Sequence, residues 1–335
     1  MTILLGVAVV YYGSPADLWL YAILVVLEVT FSFDNAVINS RILARMSPLW
    51  QTLFLTIGIF IAVFVIRFAL PIVIVMLASG TGFMHVIDMS LHHPDEYSHM
   101  LHKAAPVIEA FGGAFLMMIG INYFMNRKKD IHWLGWVESR LARAGRWRSL
   151  KAIVMIALAL ILYLTVSTEY RTTVLIAALA GTALHIGLEA MGHYFEKRQV
   201  ANATHLVGWA AFASFLYLEV LDASFSFDGV IGAFAITSSV LLIIAGLGAG
   251  AVWVRSLTIY LLRSGTLGKY KYLEHGAHWA ILALGTIMIV KLYQVEPPEW
   301  LVGSIGIIFI GTAVVSSVIE KRRLEQHAAK PKLPR

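Results

Sequence analysis

The chain has no cysteine among its 335 residues. No disulfide, thiolate metal site or cysteine nucleophile is available, and cysteine usage says nothing of the redox compartment. Charge is scarce as well: Asp, Glu, Lys and Arg make up 14% of the residues against 59% hydrophobic ones, and the mean hydropathy is +0.76. That balance excludes both a water-soluble globule and a disordered chain. No Walker motif, glycine-rich phosphate loop or nucleophile elbow occurs in a suitable context. Nothing therefore points to ATP use or hydrolysis, and no enzyme or prosthetic group is expected.

What is present instead is a succession of apolar runs of about 20 residues, the length a helix needs to cross a hydrocarbon core of about 30 Å. They predict an all-α, polytopic helical membrane protein with spans near 18–40, 51–78, 104–125, 151–168, 172–192, 205–236, 239–262, 276–293 and 300–319. A tenth run at 2–12 is too short to span alone and lacks the basic start of a signal peptide. A truncated first helix, a misassigned start and an interfacial piece all remain open for it. Nine to ten transmembrane helices are thus expected.

Placement of the basic residues sets the orientation. Of 26 Lys and Arg, twenty-one fall in alternate connections: Arg41 and Arg45, eight from Arg127 to Lys151, Lys197 and Arg198, Arg263 with Lys269 and Lys271, and six from Lys321 to Arg335. The intervening connections hold only Lys103 and Arg171, with several acids and five histidines from His85 to His102. The positive-inside rule then puts the C-terminus in the cytoplasm of a cell (inner) membrane, and the excess of positive charge is a topology signal rather than a nucleic-acid footprint.

Ten ionisable groups remain at membrane depth: Arg67, Arg255, Lys291, Glu28, Asp34, Glu109, Glu189, Glu219, Asp222 and Asp228. Each costs about 2.5–3.5 kcal/mol at a helix centre, so they should face a protein interior or a wet cavity and partner one another. Arg67, Arg255 and Lys291 are the charge-pairing candidates; the surplus of acids asks for a cation or protons.

Residues 28–35 read EVTFSFDN and residues 222–229 read DASFSFDG. In the next span, Gly58 precedes Arg67 by nine residues and Gly246 precedes Arg255 by nine. By the charge topology the two copies enter the membrane from opposite sides, which is the inverted repeat of secondary transporters. The chain divides accordingly into a short apolar segment (1–17), a first repeat with a His-rich outer loop at 79–103 (18–125), a basic cytoplasmic loop with two linking helices (126–204), a second repeat (205–293), and a final helix with a basic tail (294–335). On a straight helix Glu28 and Ser32 share a face, as do Glu219, Asp222 and Ser226, whereas Asp34 and Asp228 point elsewhere. Either those aspartates pair with an arginine on a neighbouring span, or the helix unwinds at Ser-Phe-Asp; Ser, Asp and Asn favour caps, which speaks for unwinding.

The available ligands are all oxygen donors: carboxylates of Glu28, Asp34, Glu219, Asp222 and Asp228, hydroxyls of Ser32 and Ser226, and the amide of Asn35, joined by Glu109 from the third helix. Such a set suits Mn2+, Mg2+ or Ca2+ better than copper or zinc. His278 is either a core residue, a proton-relay member or a ligand. His185, Glu189 and His193 form a His-x3-Glu-x3-His stripe that reads equally as a metal site or a solvated helix end. The His-rich outer segment either gathers metal or simply caps the mouth.

The run from Glu219 to Thr237 resembles the signature of the TerC (tellurium resistance) family of integral membrane proteins, and Glu28 to Asn35 resembles that family's N-terminal acidic motif. HHPDEY at 92–97 and KDIHWL at 129–134 are similar to a longer branch catalogued as a domain of unknown function. The resemblance implies a lysine-exporter-like transporter superfamily and, for TerC relatives, Mn2+ efflux, sometimes linked to metallation of exported enzymes. It makes Glu28, Asp34, Asn35, Asp222 and Asp228 the ion-site residues. The expectation is therefore a secondary transporter exporting a divalent cation, Mn2+ first, by alternating access with proton coupling. Its partners would be the metal ion and membrane lipid, with no nucleic acid; a homo-oligomer and metallation or secretion partners stay open. A non-transporting scaffold for tellurite or envelope-stress resistance, and an exporter of a small organic cation, are the alternatives.

Overall fold

The computed structural model describes residues 2–12, 14–147, 149–199, 205–234 and 236–329. Among them the chain runs α1 (Thr2–Tyr12), α2 (Pro15–Phe31), α3 (Phe33–Leu43), α4 (Pro48–Phe60), α5 (Leu70–Ser79), α6 (Phe83–His92), α7 (Pro94–Phe124) and α8 (Gly135–Ala144). It continues through α9 (Leu150–Thr165), α10 (Arg171–Arg198), α11 (Gly208–Phe234), α12 (Val240–Arg263), α13 (Thr266–Lys269), α14 (Leu273–Lys291) and α15 (Glu299–Ala329). Between α4 and α5, residues Ile61–Ala69 wind as a π-helix. Pro71, just beyond, has no N–H to donate to the carbonyl one turn back, which favours a widened turn there.

Among the described residues, seven helical stretches are long and apolar enough to cross a membrane, and the bent pair α2 and α3 makes an eighth if it is one span. Two shorter apolar helices, α1 and α9, accompany them. The expected nine to ten spans are reached only by counting those two, and 11 or 16 residues fall short of a full crossing. The helices are inside-out relative to a soluble protein: Trp19, Leu77, Ile176 and Trp253 face outward, while Glu28, Asp34, Asn35, Arg67, Glu219, Asp222 and Arg255 are buried. The chain is a multi-pass helical membrane protein.

Local chemistry places the helix ends. Ser14 caps α2 in a reciprocal box with Asp17, and Pro15, Pro48 and Pro94 open α2, α4 and α7 with a preset φ. Gly80, at φ 69°, closes α5 in the left-handed region. At Ser32 the first motif breaks: α2 and α3 meet at 53°. Ser32 Oγ donates to Glu28 Oε1 at 2.8 Å, and Asp34 Oδ1 accepts from Asn35 N at 3.0 Å in the first turn of α3. The second motif corrects the expectation of unwinding, because α11 runs unbroken from Gly208 to Phe234. There the Ser226 hydroxyl has no hydrogen-bond partner, so nothing competes with the helical ladder.

The histidine-rich stretch expected as a loop is largely helical as well, carried by α6 and the start of α7; Asp88 and His92 pair across one turn of α6 at 2.8 Å. The basic connection at 126–151 likewise contains α8. Basic connections gather at one end of the bundle, where Arg41 meets Glu274 at 3.3 Å, Arg45 meets Glu196, and Leu206 N donates to Arg45 O at 2.7 Å.

The motif helices cross the arginine-bearing helices closely. α12 lies on α2 through Gly246 and Gly250, one turn apart. A Cβ at Gly250 would lie 2.5 Å from Glu28 Cβ and 3.1 Å from the Val25 carbonyl oxygen. Small residues at this spacing are how membrane helices bring backbones together. Gly250→Val is expected to lower stability by about 1–3 kcal/mol, because the obstacle includes backbone. Thermal unfolding in detergent checks it against Gly187→Ala, whose added carbon meets nothing within 4 Å and should leave the midpoint unchanged.

Candidate functional site

The bend at Ser32 and the crossing of α2 by α12 bring both motifs to one buried cluster. Arg67, from the π-helical stretch, reaches Glu28 Oε1 through Nη2 and donates to the Ala62 carbonyl at 2.7 Å through Nη1. Arg255, from α12, donates to both oxygens of Glu219, at 3.1 and 3.0 Å, and to Asp222 Oδ2 at 3.2 Å. It also donates to the Phe54 carbonyl at 3.0 Å and stands 4.0 Å over the Phe54 ring. Bidentate and charge-assisted contacts of this kind are the strong ones, and removing one partner of a buried pair costs about 3–5 kcal/mol.

The two pairs are linked across the copies. Asn35 Nδ2, from the last position of the first motif, donates to Asp222 Oδ1, the first acid of the second, at 2.8 Å. Gly229 holds the place of Asn35 in the second motif, and a Cβ there would lie 3.5 Å from Glu28 Oε2. Each motif's last residue thus faces the other's first acid.

Several polar atoms in the cluster have no partner: Asn35 Oδ1, Ser226 Oγ and the Nε of both arginines are buried without a hydrogen bond. Leaving such an atom unsatisfied costs about 1–3 kcal/mol. Asn39, one turn beyond Asn35 on α3, has an orphan Oδ1 as well. Sequence reasoning passed over Asn39, though its i+4 relation to Asn35 places it on the same face.

Of the residues singled out from the sequence, Glu28, Ser32, Asn35, Arg67, Glu219, Asp222 and Arg255 come together, with Ser226 one turn along α11. Asp34 stands apart. It lines a small cavity with Phe31, Phe225, Ala280, Val302 and Gly306, and touches neither arginine. Glu109 and Lys291 also lie elsewhere, in the wall of a cleft of about 600 Å3 at the end of the bundle opposite the basic connections. The side chain of Asp228 lies outside the described residues. Among those described, no three His, Asp or Glu side chains converge to hold a metal ion. Oxygen ligands beyond carboxylates, from Asn35 and Ser226, would have to complete a site. Neither histidine candidate converges on one. His278 stacks on Tyr123 at 3.5 Å between ring centroids and bonds the Glu274 carbonyl, while Glu189 accepts from Asn122 at 2.9 Å.

A second polar centre, unforeseen from the sequence, lies at the basic end. The buried Glu138 of α8 receives Lys129 Nζ at 3.1 Å, the backbone N–H of Trp133 and Leu134, His275 Nδ1 at 2.8 Å and Trp279 Nε1 at 3.2 Å. These contacts staple 126–144 onto α14. Burial alone would raise the Glu138 pKa, but the bonds and charges of His275 and Lys129 outweigh it and hold it at about 2. The signal was one of two acids, with Asp130, in a segment carrying eight Lys and Arg.

A protein-family model described as "Protein of unknown function (DUF475)" matches residues 33–324. No curated protein and no solved structure matches the chain.

Because the folded Glu138 pKa lies below its ordinary value near 4.5, its contribution is fully present above that value and is lost as the pH falls toward about 2. The protection of amides in 126–144, referred to the intrinsic exchange rate at each pH, should therefore fall selectively on acidification, and in Glu138→Gln it should be low already at neutral pH. Equal protection of this segment in the variant and the unaltered protein would reject the staple.

Proposed function

That match spans most of the chain, which therefore belongs to the family Protein of unknown function (DUF475), and we propose that the protein is a secondary transporter exporting a divalent cation. The observation that carries the reading is the shared cluster of the two motifs. In that cluster three buried carboxyls, Glu28, Glu219 and Asp222, accompany two guanidiniums, Arg67 and Arg255, and Asp34 is buried apart from them. If all four acids are ionised, two negative charges are left over, one in the cluster and one at Asp34, which one divalent cation or two protons would balance. Orphan oxygens of Asn35 and Ser226 supply neutral ligands beside them, and an all-oxygen set favours Mn2+, Mg2+ or Ca2+.

The reciprocal contacts, Asn35 with Asp222 and Gly229 with Glu28, support reading the two halves as inverted repeats about a pseudo-twofold axis. The sequence pattern and these contacts also favour a TerC-like transporter, with Mn2+ as its first candidate cargo. Alternating access would rock one half against the other. In the arrangement described here each arginine occupies an acid, and arrival of the ion would compete with it for those oxygens. The gathering of basic connections at one end supports a cytoplasmic C-terminus in a cell membrane. The protein would bind its cargo and lipid without acting as an enzyme, and proton uptake by the same carboxyls would couple export to the proton gradient.

Vesicles reconstituted with the purified protein test this. Mn2+ uptake is expected for the unaltered chain and a loss of about tenfold or more, equivalent to about 1.4 kcal/mol, for Asp222→Asn and Asp34→Asn. Full transport by both variants would reject the site. A deletion strain that accumulates manganese would separate metal export from export of an organic cation.

A further inference from the structure

Two cavities share two side chains, Phe31 and Val302. The cleft of about 600 Å3 is walled by His102, Glu109, Lys291 and Glu296, and its floor includes Phe31 and Val302. The same Phe31 and Val302 line the cavity at Asp34, whose volume of about 10 Å3 holds about one water-sized molecule. A single layer of side chains thus divides an open polar vestibule from a carboxylate that is 2% exposed.

Phe31 is placed to move. It is the last residue of α2, directly before the 53° bend at Ser32, whereas Asp34 belongs to α3 beyond the bend. A change of angle at Ser32 shifts the ring relative to the carboxylate. Its seat is glycine: a Cβ at Gly303 of α15 would lie 2.6 Å from Phe31 Cδ1, and one at Gly306, a turn along, would lie 3.5 Å from Asp34 Cγ. The absence of side chains at both positions lets α15 lie over the ring and the acid together. Phe225, which holds the place of Phe31 in the second motif, forms another wall of the same cavity but does not reach the cleft.

We propose that Phe31 is the door between Asp34 and the outer cleft, and that this cleft is the path by which the transported cation leaves. The proposal rests on the transport reading above, which supplies the cation and the outward sense. With the ring seated on Gly303, water and ions in the vestibule are kept from Asp34; swinging it away joins the two spaces.

The natural absence of cysteine makes a labelling test direct. Gly306→Cys is placed in an otherwise unaltered chain, and a membrane-impermeant cationic thiol reagent is added from outside to right-side-out vesicles. Slow labelling is expected, rising about tenfold or more when Phe31→Ala or the milder Phe31→Leu is added, since the barrier is then a local opening no longer required. Phe225→Ala should leave labelling slow, and Glu296→Cys, in the vestibule, should react quickly in every background. Equal labelling of Gly306→Cys with and without the Phe31 substitutions would overturn the door. Failure of the unaltered protein to carry Mn2+ in the same vesicles would overturn the transport reading, and the labelling rates report on the door independently of that flux.

Discussion

The structure depends on two guanidiniums held at membrane depth. Neither Arg67 nor Arg255 could stay there unpaired, and neither could the acids that meet them, since each isolated charge costs several kcal/mol in hydrocarbon. Pairing does more than neutralise. Arg255 on α12 draws in Glu219 and Asp222 on α11 and the carbonyl of Phe54 on α4, so one side chain fixes three helices. Arg67 ties its π-helical stretch to α2. The close approach of α2 and α12 at Gly250 is permitted by the glycine, and it sets Glu28 of α2 against the helix that carries Arg255.

Much of this was legible in the sequence because hydrophobicity and charge act one helix at a time. Runs of apolar residues found most of the helices to within a few residues, although α7 begins ten residues before its expected start and α15 runs ten beyond its expected end, and the arginines at matched distances from Gly58 and Gly246 meet the motif acids. The break at Ser32 falls where the Ser-Phe-Asp run suggested it, but Ser32 makes no side-chain cap bond to α3 and gives its hydroxyl to Glu28 instead. What was not legible depended on several elements at once. Straight-helix geometry already turns Asp34 away from the face of Glu28, but the wall it meets beyond the 53° bend, with Phe225, Ala280 and Gly306, is not given by periodicity. Ser226, in an almost identical run, sits in an unbroken helix. Glu109 and Lys291 face the wide cleft because they sit on α7 and at the last turn of α14, beyond the Ala280–Leu284 stretch of α14 that lines the Asp34 cavity. Glu138 escaped because its five donors come from a loop, a helix start and a span separated by more than a hundred residues.

The near-symmetry of the motifs makes their differences informative. Where the second copy has Glu219, the first has Val25; where the first has Asn35, the second has Gly229. Arg255 therefore holds two acids with both guanidinium arms, and Arg67 holds one acid together with a backbone carbonyl. Pulling Asp222 from Arg255 leaves Glu219 in place on that cation, so the guanidinium keeps a counter-charge while the buried Asp222 needs a new positive partner or a proton. Pulling Glu28 from Arg67 leaves no second acid among its bonded partners in the described residues. Two halves built alike would release their acids together. Unequal halves release first the acid that shares its arginine, and Asp222 is also the one that Asn35 reaches across to hold. On the transport reading proposed above, the asymmetry would favour Asp222 as the carboxylate transferred from arginine to an arriving cation, with Asn35 keeping it oriented.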